Sequence, residues 1–164
     1  MRVIHSPQMS VGQINIADIH IDLRSRDDIP QILLGLQYIY TTPSLCDSIF
    51  KILEEIVPYK VEEDKKIPVS IDTGRPGMNQ WTILVLGTLR LGLNADFDRI
   101  HELANQHRTI REMLGHGFFD EEKTYSYSSV RDNIQLLTPE IMDRINQEVV
   151  RSGHQLIGQK KVSH

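Results

Sequence analysis

Residues 74–117 read GRPGMNQWTILVLGTLRLGLNADFDRIHELANQHRTIREMLGHG, and this stretch decides the fold. It opens on a turn, because glycine accepts positive φ and Pro76 disfavours helix at Arg75. The apolar run that follows predicts a helix over residues 78–91 with apolar side chains on most of its faces. A helix of that kind has little surface to present to water, so we expect it at the centre of the fold.

Two shorter helices are predicted in the rest of this stretch. Gly92 is suited to end the first helix in the left-handed conformation, and Asn94 is suited to cap a second helix over residues 95–106. A short turn then leads to a third helix over residues 108–114. Three helices joined by tight turns, the last of them rich in arginine, are typical of a helix-turn-helix unit.

Further helices are predicted on both sides of the central stretch. Apolar periodicity indicates an α-hairpin over residues 28–57, with start signals at Asp28 and at Thr42-Pro43. Ser128 or Ser129 can cap a short helix through residue 136, and Thr138-Pro139 begins a last helix that runs through residue 149 or on to residue 156. Residues 58–73 carry a run of charges without apolar anchors and are predicted as a solvated linker.

The fold class that follows is a mainly α, multi-helix domain with a helix-turn-helix-like centre. Weak alternation over residues 11–23 indicates one short β-ribbon, in which that segment would pair with Ile67, Val69 and Ile71. The chain divides into an N-terminal extension (1–27), the α-hairpin (28–57), the linker (58–73), a helix-turn-helix-like DNA-binding core with a C-terminal helix (74–156) and a tail (157–164).

Composition limits the classes of function. The 164 residues carry a formal charge of −4, which counts against a protein held to nucleic acid by bulk charge but says nothing of the field over one face. One cysteine fits a reducing cytoplasm. No apolar run approaches membrane-spanning length, so we expect a cytoplasmic protein without a membrane partner.

Metal and nucleophile chemistry is poorly supported by the residue spacing. His101-Glu102 begins like a zinc-protease helix, but Asn105 stands where the second histidine ligand is required. His107 follows six residues after His101 and lies on a different helical face. Cys46 falls in an apolar helix and is predicted to be a small core residue. We therefore predict no metal, no cofactor and no catalytic residue in this chain.

Several segments also carry a family resemblance, and they span most of residues 20–155. They are LQYIY at 36–40, GRPGM at 74–78, ILVLG at 83–87, LANQHRTIR at 103–111 and MLGH at 113–116. Together they resemble the N-terminal region of bacterial insertion-sequence transposases of the DDE superfamily, in particular the ISNCY group. The opening GRP and the closing LG also resemble the wider InsH-type N-terminal domain.

The resemblance implies a DNA-binding domain that recognises the ends of an insertion sequence. In that family a catalytic domain follows, in which three carboxylates hold two divalent metal ions such as Mg²⁺. No residue of this chain matches those carboxylates. The resemblance therefore implies a truncated transposase that binds double-stranded DNA during transposition and is not an enzyme by itself.

The residues predicted to contact DNA are mostly cationic and lie in or beside the central stretch. Arginine suits the role because its planar fork binds phosphate or guanine edges at two points. The free amides at the start of the third helix would also favour a phosphate. An equally open interpretation is that these cations pair with Asp96, Asp98, Glu102 and Glu112 on a solvated surface. The predicted set is Arg75, Arg90, Arg99, His107, Arg108, Thr109, Arg111 and His116.

A competing hypothesis makes the chain a protein-interaction module. In that case the α-hairpin of residues 28–57 forms a homodimer or pairs with full-length transposase. The two hypotheses differ in their sensitive residues: Arg108→Ala and Arg111→Ala should weaken DNA binding, whereas Leu53→Asp should disturb the hairpin and any dimer.

Overall fold

The computed structural model describes residues 15–24, 28–56, 78–116 and 124–153, together with the backbone of two strands. The described residues form seven α-helices, which confirms the mainly α class. The elements in chain order are a 3₁₀ turn (Ile16–Asp18), α1 (Ile29–Tyr40), α2 (Pro43–Ile56), β1 (Tyr59–Glu62), β2 (Lys65–Pro68), α3 (Gln80–Leu93), α4 (Phe97–Gln106), α5 (Arg108–Met113), α6 (Tyr127–Ile134) and α7 (Pro139–Arg151).

The predicted central apolar helix is present, but it begins and ends two residues later than predicted, at Gln80 and Leu93. Every residue from 80 to 89 in α3 is buried, and α3 packs against α1, α2, α4 and α6. Asn79 caps its first turn by accepting a hydrogen bond from the Thr82 amide at 2.8 Å. The indole of Trp81 donates a 2.8 Å hydrogen bond to the carbonyl of Met113, which ties α3 to the end of α5.

The joint between α3 and α4 differs from the predicted one. Gly92 lies inside α3, and the left-handed residue is Asn94, with φ 53° and ψ 46°. Asparagine tolerates this conformation better than most residues with a Cβ, so it ends the helix two residues later than glycine would have done. Asp96 takes the capping role, because its carboxylate accepts a 2.9 Å hydrogen bond from the Arg99 amide.

The other helix starts follow the same chemistry with small shifts. Pro43 begins α2, and the Thr138 hydroxyl accepts from the Ile141 amide at 3.3 Å at the start of α7, as predicted. Ser126 caps α6 in place of Ser128 or Ser129. Asp28 precedes α1, but its side chain makes no capping hydrogen bond there. The predicted tail lies outside the described residues.

One hydrophobic core joins the predicted α-hairpin to the central stretch. Buried side chains from Ile16 to Val149 form a single cluster, to which α1, α2, α3 and α7 all contribute. α1 packs on α3, and α2 packs on α7. At the surface of the contact between α2 and α7, Arg144 donates two hydrogen bonds to the Glu55 carboxylate at 2.8 and 2.9 Å. The apolar stripe of the hairpin is therefore covered by helices of the same chain.

A short β-ribbon is present, but its pairing was predicted wrongly. β1 and β2 are antiparallel, with Tyr59 opposite Pro68 and Glu62 opposite Lys65. The ribbon lies within the segment that we predicted as a solvated linker. Residues 16–18 form a 3₁₀ turn, in which Asn15 accepts from the Ala17 amide, so they do not supply the partner strand. Pairing of neighbouring segments closes a much smaller loop than pairing across fifty residues, which favours the observed arrangement.

Candidate nucleic-acid interface

Seven of the eight residues predicted to contact DNA lie in the described part of the chain, and Arg75 lies outside it. All seven fall between the last turns of α3 and the turn after α5. Their environments differ sharply. The structure therefore separates the side chains that water can reach from those already held by the protein.

Arg108 is the most accessible of these cations. It is the first residue of α5, its side chain is 80% exposed, and its Nε lies 3.7 Å from the Glu112 carboxylate one turn along. The Glu112 side chain is only 19% exposed, but at 3.7 Å the contact is longer than a hydrogen bond. The pair therefore contributes on the order of 0.5 kcal/mol, and an incoming phosphate can replace it at little cost. Thr109 follows and is half-buried.

Arg99 and Arg90 are less available to a ligand. Arg99 is 52% exposed and lies 3.9 Å from Glu102, on a helix whose first turn is acidic. The guanidinium of Arg90 sits over the Phe97 ring, with 4.5 Å from its Cζ to the ring centroid. This cation–π contact packs the end of α3 against the start of α4 and occupies one face of the guanidinium.

Arg111 and His107 hold the joint between α4 and α5. The Arg111 Nη1 donates a 3.0 Å hydrogen bond to the carbonyl of Ala104, in the last turn of α4. Carbonyls in that turn lack helical partners, and a cation there is favoured by the helix dipole. His107 alone separates the two helices, and its Nδ1 accepts from the Ile110 amide at 3.3 Å. That nitrogen therefore carries no proton in this arrangement.

Tyr125 joins this unit from outside it, and no pattern in the sequence predicted its role. Its amide donates to the Asn105 side-chain oxygen at 2.7 Å, and the Asn105 Nδ2 donates back to the Tyr125 carbonyl at 2.9 Å. His101 Nε2 reaches the same carbonyl at 2.9 Å. The Tyr125 hydroxyl hydrogen-bonds with His116 Nε2 at 2.6 Å. No sequence spacing connects Tyr125 to Asn105, since twenty residues separate them.

The tyrosine hydroxyl lies in a largely enclosed polar setting. Burial raises the pKa of Tyr125, whereas a hydrogen bond with Thr82 and the positive charge of Arg111 act in the opposite direction. Thr82 is itself buried in the first turn of α3. The hydroxyl therefore lies where α3, α5 and the turn after α5 meet.

Other chemistry has little support in the part of the chain that the structure describes. No three histidine, cysteine or acidic side chains in that part lie close enough together to hold a metal ion. Cys46 is buried in α2, where burial raises the pKa of its thiol to about 11 and the nearby Asp47 carboxylate adds to the shift. A thiol of that pKa is almost fully protonated near neutral pH and is a poor nucleophile.

Cys46 should accordingly react with a thiol reagent only after the chain opens. In native protein at pH 8 we expect labelling by Ellman's reagent to be at least about a hundredfold slower than in urea-unfolded protein, because the thiol is both covered and protonated. The absorbance of the released thiolate measures both rates. Equal rates would show that Cys46 is exposed and would reopen the nucleophile hypothesis.

Comparison with known proteins gave no relative: no protein-family model, curated protein or solved structure matches the chain. Among the described helices, none is long and apolar enough to cross a membrane. The resemblance to insertion-sequence transposases thus stays a prediction, and the function is argued from the residues themselves.

Proposed function

We propose that the chain binds double-stranded DNA as the N-terminal domain of an insertion-sequence transposase. In this proposal it recognises the ends of the element and places a catalytic domain on them, and it cuts no DNA by itself. Two things support the proposal. The first is the resemblance carried by residues 36–40 and 74–116. The second is the exposed cation at the start of the third helix of the predicted unit.

The exposed guanidinium of Arg108 is the observation that carries the proposal. A positive charge at the first residue of a helix is opposed by the helix dipole, so Arg108 does not stabilise α5 by its position. Its pairing with Glu112 runs in the less favourable direction along the helix, from cation to anion. The position of the Arg108 guanidinium therefore adds little to the stability of the protein. The guanidinium can exchange the Glu112 carboxylate for a phosphate oxygen.

The surroundings of Arg108 define what such an interface can do. Residues 78–116 contain four arginines and four carboxylates, so this unit has no net charge to draw DNA in from a distance. Two of the carboxylates, Asp96 and Asp98, lie at the start of α4 and not in α5. Phosphate contacts near α5 would therefore position the protein, with Thr109 beside them and Arg99 as a second cation.

The proposal is tested by the salt dependence of binding. Wild-type protein is titrated, at several salt concentrations, with a fluorescein-labelled duplex enriched by the protein from a randomised pool and with a scrambled duplex of the same composition. We expect Arg108→Ala to weaken binding to both duplexes about fivefold and to reduce the log–log salt slope by about 0.9, the value for one phosphate contact.

Arg151→Ala is the matched control. Arg151 also has an exposed side chain, and it also pairs within its own helix, with Glu148 at 2.6 Å, but it lies at the end of α7. The change should leave the slope and both affinities as in the wild type. If the wild-type protein binds neither duplex at low salt, the proposal fails. It also fails if Arg108→Ala and Arg151→Ala change the affinities and the salt slope equally.

No comparable observation supports the hypothesis that the chain is a protein-interaction module. Its dimer face would be the apolar stripe of α2, but Leu45, Ile49 and Leu53 are all buried in the chain's own core. The large apolar side chains that are exposed in the described segments are dispersed along the chain: Leu23 precedes α1, Tyr127 begins α6 and Val150 lies in α7.

A further inference from the structure

We infer that Tyr125 is a positioning residue of the proposed DNA-binding unit: it fixes the orientation of α5 and therefore of Arg108 and Thr109. This inference rests on the proposed function, because it assigns a task to a residue that need not touch DNA. It is carried by the contacts of Tyr125 with α4 and with the turn after α5.

α5 is too short to fix its own orientation. It spans only six residues, from Arg108 to Met113, and helices of that length are marginal without packing. One residue separates it from α4. Its orientation must therefore come from contacts with the rest of the protein, of which the Trp81 bond to the Met113 carbonyl is one and the buried Ile110 side chain is another.

The backbone of Tyr125 is anchored on α4. The Asn105 side chain accepts from its amide and donates to its carbonyl, as a neighbouring strand would do, and His101 adds a bond to the same carbonyl. These three bonds place the residue next to the last two turns of α4. They use no atom of the phenol ring, so they remain when the hydroxyl is removed.

The Tyr125 hydroxyl reaches the turn at the far end of α5. It bonds with His116 Nε2 at 2.6 Å, and the two rings lie 5.5 Å apart between centroids. The His116 amide is itself tied to α5, because it donates to the Arg111 carbonyl at 3.0 Å. Tyr125 is held to α4 by its backbone and to the end of α5 by its hydroxyl, and it thereby sets the angle between the two helices.

The test is Tyr125→Phe, which removes the hydroxyl and keeps the backbone anchor. At a temperature well below unfolding, we expect affinity for the enriched duplex to fall about tenfold, as for a lost hydrogen bond that leaves a part-buried partner behind. Affinity for the scrambled duplex should fall by no more than the roughly fivefold loss expected for Arg108→Ala, because Tyr125 acts on phosphate contacts only through Arg108. A change that merely lowered stability would move neither affinity at that temperature.

Tyr127→Phe is the matched control. Tyr127 lies two residues further on, is 37% exposed and holds an edge-on contact with His101 through its ring, which the substitution keeps. It should bind both duplexes like the wild type. In an Arg108→Ala background, Tyr125→Phe should have little further effect on the scrambled duplex. A further fall of about 0.9 in the salt slope in that background would overturn the inference by making Tyr125 a direct phosphate contact. Unchanged specific affinity in Tyr125→Phe would overturn it by showing that the hydroxyl positions nothing.

A second readout separates failure of this inference from failure of the proposed function. Amide hydrogen exchange, measured without DNA, should show protection falling about tenfold at Leu114, Gly115 and His116 in Tyr125→Phe, with α1 and α2 unchanged. If wild-type protein binds no duplex and this local loss is still seen, the proposed function fails and the anchoring of α5 stands. If wild-type protein binds DNA and the exchange is unchanged, the inference about Tyr125 fails alone.

Discussion

Leu53→Asp should unfold the chain rather than separate a dimer. Leu53 is fully buried in α2, and α2 packs against α7. Truncating a buried leucine costs about 2–5 kcal/mol, and placing an unpaired carboxylate in the same space costs several more. The total is comparable with the whole stability of an ordinary domain, about 5–15 kcal/mol. We expect collapse of the helical circular dichroism and a red shift of Trp81 fluorescence.

The chain offers a close control for this substitution and a clear reporter. Lys51→Asp introduces the same side chain into the same helix two residues earlier, at an exposed position. It should leave both signals unchanged. Trp81 is the single tryptophan and is buried at the centre of the core, so its emission follows the folded state directly. A folded Leu53→Asp protein whose sedimentation shows a lost dimer would instead restore the interaction-module hypothesis.

Patterns that are local in sequence predicted the helices well. The apolar run of α3 was recognisable because it exceeds what an amphipathic surface helix needs. Thr138-Pro139 marked the start of α7 because both residues act on the backbone immediately beside them. The end of α3 was misplaced because Gly92 and Asn94 both accept the left-handed conformation, and only the packing of the next helix decides between them.

Long-range partners could not be predicted in the same way. The sequence around Tyr125 does not predict that its amide and carbonyl hydrogen-bond with Asn105, because this contact depends on how the chain returns to α4. The partner of β2 was missed for a related reason: alternation marks a strand but does not say which other strand it joins. Both errors concern contacts between elements, not the elements themselves.

The accessibility of each arginine in the candidate interface also depends on contacts between elements, which the sequence does not give. From sequence, Arg108 and Arg111 were predicted alike to be the arginines on which DNA binding depends. The structure shows that Arg111 is held by the Ala104 carbonyl and Arg90 lies on the Phe97 ring, while Arg108 keeps an exposed guanidinium. A side chain that already bonds to a helix end or packs in a helix joint is less available to a ligand. Arg108 is therefore the residue that we propose to contact DNA.

Gly87→Ala should destabilise the protein by about 2 kcal/mol, although alanine is the better helix former by about 1 kcal/mol. Gly87 lies in the fully buried middle of α3, where Leu137 crosses it between α6 and α7. A Cβ built on Gly87 would lie 2.9 Å from the Leu137 Cβ, closer than such atoms approach in proteins. Because a Cβ is fixed by its own backbone, the helices must separate to admit the methyl group. Urea unfolding followed by Trp81 fluorescence measures the loss.

A double-mutant cycle with Leu137→Ala tests whether this contact is the cause. Leu137→Ala alone should cost about 2–5 kcal/mol, since it empties a buried site. The space that it leaves accommodates part of the new methyl group, so the double variant should be more stable than the sum of the two losses predicts, by about 1 kcal/mol. Gly92→Ala, the same change at a half-buried position in the last turn of α3, should instead stabilise the protein by up to about 1 kcal/mol. Strictly additive losses at Gly87 and Leu137 would mean that the close approach between α3 and the α6–α7 joint does not limit the residue at position 87.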